Sequence, residues 1–146
     1  NVAGIFIRKV LDGEPMLVYG DGEQTRAFSD VKYYMEPFYQ MMYGHDDEIF
    51  NLGADKAYTI NELAEVVGQA AWKRNFTPKI DHVEARHEVK HAYCDHAKAK
   101  NLLGFIDDTD LEELIAQMFD WATHQPKREQ KSMDYEITKG IYDYWK

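Results

Sequence analysis

Two amphipathic segments, each opened by the same residue spacing, constrain the fold of this chain more than any other feature. Thr59 stands three residues before Glu62, and Thr109 stands three residues before Glu112. In such a capping box each side chain accepts a hydrogen bond from the backbone N–H of the other residue. The apolar stripes that follow are Leu63, Val66, Val67 and Ala70 in the first segment and Leu111, Leu114, Ile115, Met118, Phe119 and Ala122 in the second. We therefore expect two helices that each bury one face in a core.

Shorter helical segments and strand-type runs complete the pattern. Residues 1–11 predict a helix, residues 31–43 predict an aromatic helix interrupted at Pro37, and Asp95 can cap a helix that ends at Gly104. The strand-type runs are residues 16–19, 48–52 and 79–85. Pro126 is expected to end the second capped helix, and the tail beyond Lys127, with Tyr135, Tyr142, Tyr144 and Trp145, suggests one more. The pattern predicts an α/β fold with few short strands for its several helices, as if part of a sheet were missing.

Composition limits the class of protein and its partners. The 146 residues, 45% hydrophobic and 29% charged, suit one globular domain. The net charge of -9 argues against general nucleic-acid binding, although a few arginines could still hold one phosphorylated ligand. No apolar run approaches the roughly 20 residues that cross a bilayer, so no membrane is expected as a partner. The single cysteine, Cys94, excludes an intrachain disulfide and favours the cytoplasm.

A glycine turn lies between an aromatic residue and an arginine. Gly20 and Gly22 follow Tyr19, and Arg26 comes four residues after the turn. The ring offers a stacking face, and the guanidinium fork matches phosphate oxygens in a bidentate way. The segment is therefore a candidate site for a ligand that carries a flat base and phosphates. The alternative is a surface hairpin whose arginine is only solvated.

The sequence also contains a literal HExxH, His87-Glu88-Val89-Lys90-His91. On a helix this spacing places two histidines on one face to hold zinc, with the glutamate as a general base. Lys90 would put a cation beside the metal, and no long apolar helix surrounds the segment. A zinc protease and a structural metal site both remain alternatives to a polar loop. The histidines available for a structural metal are His82, His87, His91 and His96.

Two further kinds of site are not indicated. No glycine fingerprint opens a βαβ unit, so the sequence shows no dinucleotide site. Cys94 follows Tyr93 in an apolar stretch, which favours a packing role over that of a nucleophile. The chain does not begin with methionine and opens directly on a helical pattern. We therefore expect it to be part of a longer polypeptide.

Three blocks, read in order, resemble one family. They are GEPMLVYGDGEQTRAF at residues 13–28, IFNLG with TINELA between residues 49 and 64, and RHEVKHAYCD with KAKNLLGF between residues 86 and 105. The blocks resemble the extended short-chain dehydrogenase/reductase family, which includes UDP-glucose 4-epimerases, UDP-glucuronate decarboxylases and dTDP-glucose 4,6-dehydratases. The resemblance covers roughly residues 1–125. It places the HExxH residues after the family's second phosphate-binding arginine, which argues against the metal interpretation.

The resemblance implies a role for seven residues and a catalytic residue for none. Tyr19 would lie against the nucleotide base, with Leu17 and Val18 beside it. Arg26 and Arg86 would hold the diphosphate. Asn51 would make a polar contact near the nucleotide, and Glu88 would reach the ribose, although its match is one residue short. The chain departs from the family at Ala27, at Lys32-Tyr33 and after Arg86, where an aspartate, an acidic pair and a glycine–aspartate pair are usual.

The implied whole is the C-terminal, nucleotide-sugar-binding lobe of such an enzyme, spanning residues 1–146. The implied parent is a UDP-sugar 4-epimerase, with a dehydratase or decarboxylase as the alternative and a homodimer left open. NAD and the Tyr-x-x-x-Lys catalytic pair would belong to a Rossmann domain that this chain mostly lacks, so the chain alone is expected to be inactive. A non-catalytic binding module or half of a split enzyme remains a different class of answer. In that case the aromatic stretch at residues 33–43 would partly face a partner, whereas we expect it to fill the lobe's own core.

Overall fold

The structure, a computed structural model, describes residues 1–45 and 47–127, so the predicted helix in the C-terminal tail lies outside the described residues. Four segments build the core: helix α1 (Val2–Leu11), strand β1 (Met16–Tyr19), helix α3 (Ile60–Trp72) and helix α5 (Leu111–Thr123). The shorter elements are β2 (Thr25–Ala27), a 3-10 turn (Val31–Tyr34), α2 (Met35–Met41), β3 (Ala57–Thr59), β4 (Ile80–Val83), β5 (His91–Ala92) and α4 (Ala97–Leu103). The predicted α/β class with few short strands is confirmed.

The core forms where α1, α3 and α5 pack against one another and against β1. Phe6 of α1, Leu63 of α3 and Phe119 of α5 are each 1% exposed or less. They share this core with Met16, Val18, Val67 and Ile115. Both predicted apolar stripes face this core, because residues three and four apart lie on one side of a helix. No helix among the described residues is long and apolar enough to cross a membrane.

The two helix starts with capping-box spacing turn out differently. At α3 the prediction is confirmed: the Thr59 hydroxyl accepts from the Glu62 N–H, and the Glu62 carboxylate accepts from the Thr59 N–H. At α5 the prediction is wrong, because the capping residue is Asp110, whose Oδ1 accepts from the N–H groups of Glu112 and Glu113. The Thr109 hydroxyl instead accepts from the Asp30 N–H at 2.9 Å. Thr109 thus uses its hydroxyl for a hydrogen bond to a residue distant in sequence, and Asp110 caps the helix instead.

The strands form two small sheets. Strand β1 pairs in parallel with β4, with Met16 opposite Ile80 and Tyr19 opposite Val83. In the second sheet β2 lies between β3, which is antiparallel to it, and β5, which is parallel. Strands β1 and β2 are joined by the glycine turn, so this turn connects the two sheets.

The strand predicted at residues 48–52 does not form. The Lys98 ammonium donates to the Ile49 carbonyl at 2.9 Å, and the Tyr34 hydroxyl donates to the Leu52 carbonyl at 3.4 Å. Side chains thus satisfy carbonyls that a neighbouring strand would otherwise have to satisfy. Phe50 and Leu52 explain the apolar pattern in another way, because they pack on a second cluster made of Ala99, Leu103 and Phe105.

The aromatic stretch after β2 is helical, as predicted, but much of it is not buried. Pro37 occupies the first turn of α2, where its missing N–H would have no intrahelical partner. Tyr33 and Tyr34 pack on the second cluster. Phe38 is 48% exposed and Met42 is 75% exposed. Pro37 is buried and Met41 packs on the second cluster, so the expectation that this stretch fills the lobe's own core is confirmed for one side of α2 and wrong for the exposed side.

Candidate functional site

The glycine turn between β1 and β2 is held in one shape by α3. Gly20 and Gly22 have φ angles of +68° and +75°, a backbone region that strongly favours glycine. The Asn61 amide donates to the Asp21 carbonyl and to the Glu23 carboxylate, both at 2.9 Å. A Cβ on Gly22 would lie 2.0 Å from Asn61 Oδ1. The turn is therefore a rigid connection, unlike a solvated hairpin.

Arg26 lies on the central strand of the second sheet. Its Nη1 donates to the Thr25 carbonyl at 2.7 Å, and its Nη2 donates to Glu88 Oε2 at 3.0 Å. Its side chain is 24% exposed, and the Glu88 side chain is 22% exposed. The guanidinium thus sits in a half-buried place with a fixed orientation, which does not fit the alternative of an arginine that is only solvated.

Arg86 reaches the same carboxylate from the segment after β4. Its Nη2 lies 3.5 Å from Glu88 Oε2, the oxygen that Arg26 also contacts. Its guanidinium carbon lies 4.3 Å from the centre of the Tyr19 ring, within the range of a cation–π contact. Four of the seven predicted residues, Tyr19, Arg26, Arg86 and Glu88, are therefore brought together. We call these four residues the arginine cluster.

Gln24 is a member of this site that the sequence analysis did not identify. It is 8% exposed, and its amide nitrogen donates to the Tyr19 carbonyl and to Glu88 Oε1, both at 3.1 Å. Residues two apart on an extended chain point to the same side. Gln24 stands two residues before Arg26, and this spacing is the sequence signal that could have identified it. Glu88, at which the side chains of Gln24 and Arg26 meet, is more than 60 positions away along the chain.

The other three predicted residues, Leu17, Val18 and Asn51, lie outside the arginine cluster. Leu17 is half-buried, on the opposite side of β1 from the core. Val18 is 0% exposed and belongs to the core, so its predicted contact with a base has to be corrected: only its backbone could take part. Asn51 is exposed, and its amide donates to the Asp95 carbonyl at 3.4 Å. Among the described residues this is the one hydrogen bond found for the Asn51 side chain.

The HExxH residues do not have the geometry of a zinc site. Residues 87–91 form no helix: His87 lies in a bend and His91 begins β5. His91 Nδ1 lies 2.9 Å from the Thr25 hydroxyl, and Glu88 is paired with arginines. Within residues 1–45 and 47–127 no three His, Cys, Asp or Glu side chains are grouped as metal ligands. The segment is a polar connection between β4 and β5.

Two other features lie outside the arginine cluster. Cys94 is half-buried, and its sulfur lies 2.6 Å from where a Cβ on Gly53 would be, so it packs tightly against that glycine. A cavity of about 800 Å³ lies between α1 and α5. Its apolar walls include Leu11 and Trp121, and none of its lining residues belongs to the arginine cluster.

The cluster has the chemistry of an anion site beside an aromatic ring. Two guanidinium groups and one carboxylate leave a local net charge of one positive unit in a protein whose overall charge is -9. Guanidinium groups bind phosphate oxygens through paired hydrogen bonds. The arrangement therefore suits a phosphorylated ligand that also carries a ring.

Comparison with known proteins gives consistent matches. The model of the family described as GDP-mannose 4,6 dehydratase matches residues 4–118. UDP-glucuronic acid decarboxylase 4 of Arabidopsis thaliana is 37% identical over 108 residues, which are 72% of this chain and 23% of that protein.

Two solved structures have a similar fold and sequence. UDP-glucose 4-epimerase of Thermotoga maritima, solved with UDP-glucose, has a TM-score of 0.73 and 27% identity over 84% of this chain and 39% of that one. MoeE5, solved with UDP-glucose and NAD, also has a TM-score of 0.73 and 27% identity, over 84% of this chain and 41% of that one. The chain thus spans between 23% and 41% of the length of these three proteins.

Proposed function

The chain belongs to the GDP-mannose 4,6-dehydratase family, and from that membership we propose that it is the nucleotide-sugar-binding portion of a UDP-sugar 4-epimerase. The resemblance to extended short-chain dehydrogenase/reductase enzymes, predicted from three sequence blocks, is confirmed. The choice of an epimerase is supported by the similar fold of the Thermotoga maritima enzyme solved with UDP-glucose. We also propose a UDP-sugar as the ligand, from the UDP-glucose bound to that enzyme, a homodimer as the form of the complete enzyme, and the cytoplasm as the compartment, from the single cysteine.

The observation that carries this proposal is the convergence of two arginines on one point. Arg26 lies in β2 and Arg86 lies in the segment after β4, yet their Nη2 atoms are 3.0 and 3.5 Å from the same oxygen of Glu88. In the proposal both guanidinium groups hold the diphosphate. Tyr19 and Leu17 flank the base, and Val18 contributes only its backbone.

Two contacts in the proposal are less direct. Glu88 is assigned to the neighbourhood of the ribose because it adjoins both arginines. Asn51 keeps its proposed polar contact with the nucleotide, but its present partner is the Asp95 carbonyl. A ligand that reaches Asn51 would therefore have to extend beyond the arginine cluster.

The described residues do not fit NAD. The tight turn after β1 leads into another strand, β2, whereas a dinucleotide site needs a glycine-rich turn between a parallel strand and a helix. MoeE5 was solved with NAD. We therefore propose that NAD binds to a cofactor domain of the complete enzyme, and we assign no residue of the described part and no reaction step to it.

A decarboxylase is the second candidate, favoured by the 37% identity to the Arabidopsis thaliana enzyme. The epimerase and decarboxylase activities can be distinguished by assaying the natural full-length protein. An epimerase would invert the C4 hydroxyl of a UDP-hexose without loss of carbon, whereas a decarboxylase would release CO2 from a UDP-sugar acid. Release of CO2 from UDP-glucuronate, with no inversion of UDP-glucose, would overturn the epimerase proposal.

A non-catalytic binding or partner role rests on a different observation, the exposed face of α2. Phe38 of α2 and Met42, which follows the helix directly, are 48% and 75% exposed. Such a patch is consistent with a partner polypeptide or a further domain. If turnover appears after this chain is mixed with a separate cofactor domain, the chain is half of a split enzyme; if UDP binds but no turnover appears, it is a simple binder.

The binding role is tested by Arg26→Ala. We expect this variant to lose about 2 kcal/mol or more of UDP binding, roughly 30-fold in Kd, because a charge-assisted pair is removed. Isothermal titration of UDP into the natural full-length protein and into its Arg26→Ala variant measures the change. Lys100→Ala, which removes an exposed positive charge on α4, is the matched control and should bind UDP as the wild type does. Equal affinities for the Arg26 variant and the wild type would refute the assignment.

A further inference from the structure

The positive groups of the arginine cluster already have partners within the chain. Glu88 Oε2 lies 3.0 Å from Arg26 Nη2 and 3.5 Å from Arg86 Nη2. The Arg86 guanidinium also lies over the Tyr19 ring, at 4.3 Å from its centre. A carboxylate of the chain itself therefore occupies the point at which the two guanidinium groups converge.

Glu88 is held at this point from its other side. Gln24 donates its amide hydrogen to Glu88 Oε1 at 3.1 Å. Gln24 is only 8% exposed, and a second hydrogen bond to the Tyr19 carbonyl fixes its orientation. Ion pairs between exposed, flexible side chains contribute little to stability. The Glu88 carboxylate differs, because it is half-buried and each of its two oxygens has a partner. The pairing of Glu88 with Gln24 and with the two arginines is therefore part of the folded structure of the site.

We propose that Glu88 is an internal counter-anion that a diphosphate must displace from Arg26 and Arg86 when it binds. The inference rests on the proposed function, since it concerns the same two arginines. A diphosphate and a carboxylate cannot share the same guanidinium donors without strong repulsion between like charges. Binding is therefore an exchange: the carboxylate moves out of the cluster, and the phosphate oxygens take its hydrogen bonds.

This exchange makes Glu88 a specificity-determining residue. With the Glu88 carboxylate in place, the net charge of the two arginines and the glutamate is one positive unit. When the carboxylate has moved away, the two arginines alone carry two positive units. A singly charged anion gains little by replacing a carboxylate of equal charge, whereas a diphosphate brings more negative charge to both guanidinium groups. Glu88 thus lowers the affinity for every anion that must displace it, and only a strongly charged anion recovers that cost through the two guanidinium groups. Gln24 is a positioning residue, because it acts on the ligand only through Glu88.

The experiment compares the natural full-length protein with its Glu88→Gln variant. Glutamine keeps the shape and can still accept a hydrogen bond from Gln24, but it carries no charge. Isothermal titration with UDP and, separately, with inorganic pyrophosphate should show roughly tenfold or more tighter binding to the variant. The variant's affinity should also fall more steeply with salt, because its site holds more net charge. Glu84→Gln, which removes an exposed carboxylate two residues before Arg86, should leave both affinities unchanged.

Several outcomes separate this inference from the proposed function. If Arg26→Ala weakens UDP binding but Glu88→Gln binds UDP equally or more weakly, the exchange is refuted and the diphosphate role of Arg26 stands. Tighter binding of UDP without tighter binding of pyrophosphate would also refute it, because the effect would then lie at the base or the ribose. If neither the wild type nor the Glu88 variant binds UDP or pyrophosphate, both proposals fail. Thermal melting verifies that the variant is folded, and Glu88→Ala, which should also bind more tightly, provides a second test.

Discussion

Gly22 illustrates how strongly single residues determine the candidate site. Its φ of +75° is a conformation that residues with a Cβ rarely adopt, and its neighbour Asn61 leaves no room for one. The Asn61 amide holds the turn through Asp21 and Glu23. Because this turn joins the strand of Tyr19 to the strand of Arg26, its shape sets the distance between the ring and the guanidinium group.

We expect Gly22→Ala to destabilise the chain by about 2–3 kcal/mol, because backbone strain adds to the displacement of Asn61. Gly13→Ala is the matched control: Gly13 has a similar φ of +71°, but nothing lies within 4 Å of an added Cβ. The control should lose only the strain energy, about 1 kcal/mol. Urea unfolding of the three proteins measures the free energies. Equal losses in the two variants would contradict the importance of the Asn61 contact.

The sequence identified residues that the structure brings together, but not the contacts through which they meet. Tyr19, Arg26 and Arg86 were identified from their blocks, and the structure brings them together. Val18 was misplaced, although strand alternation alone puts it on the opposite side from Tyr19. The hydrogen bond between Gln24 and Glu88 could not be predicted, because it joins residues 64 positions apart whose proximity depends on how the strands pair.

The start of α5 depends on its capping residue, Asp110, and this role can be tested by substitution. Asp110 accepts hydrogen bonds from two backbone N–H groups and places a negative charge at the positive end of the helix. We expect Asp110→Ala to lower the free energy of unfolding by about 1 kcal/mol, and Asp110→Asn to lower it by less, since asparagine also caps well. Chemical denaturation measures both. A larger loss for the asparagine variant than for the alanine variant would contradict the capping role.

Elements were predictable where the signal was local. The capping box and stripe of α3 lie within 13 residues and identified that helix correctly. The strand at residues 48–52 was predicted from an apolar run, but strand formation requires a neighbouring strand that offers its own hydrogen bonds. In the described part of the chain that segment is bonded to side chains instead. The next strand along the chain, β3, is three residues long, too short to show a period-2 pattern.

Across the whole molecule, ion pairs connect elements that are distant in sequence. Arg74, just after α3, donates to Asp120 of α5 at 2.7 Å, and Lys127 lies 3.2 Å from Asp12, just after α1. The side-chain hydrogen bond from Arg74 lowers the pKa of Asp120. The hydrogen bond from Arg8, followed by that from Lys127, lowers the pKa of Asp12 from 3.8 to about 2. Desolvation opposes each shift without cancelling it.

These lowered pKa values predict acid sensitivity, with Asp12 as the clearest case. A carboxyl group whose pKa is lower in the folded than in the unfolded chain stabilises the folded state above the unfolded pKa, here 3.8. That contribution is lost as the pH falls through the folded pKa of about 2. Asp12→Asn should therefore be less stable than the wild type at pH 7, and the difference should shrink between pH 4 and pH 2, as followed by urea unfolding across this range. Asp81→Asn, which removes an exposed carboxylate of β4, is the control. If the Asp12 difference stays constant down to pH 2, the Arg8 and Lys127 contacts do not account for the shift.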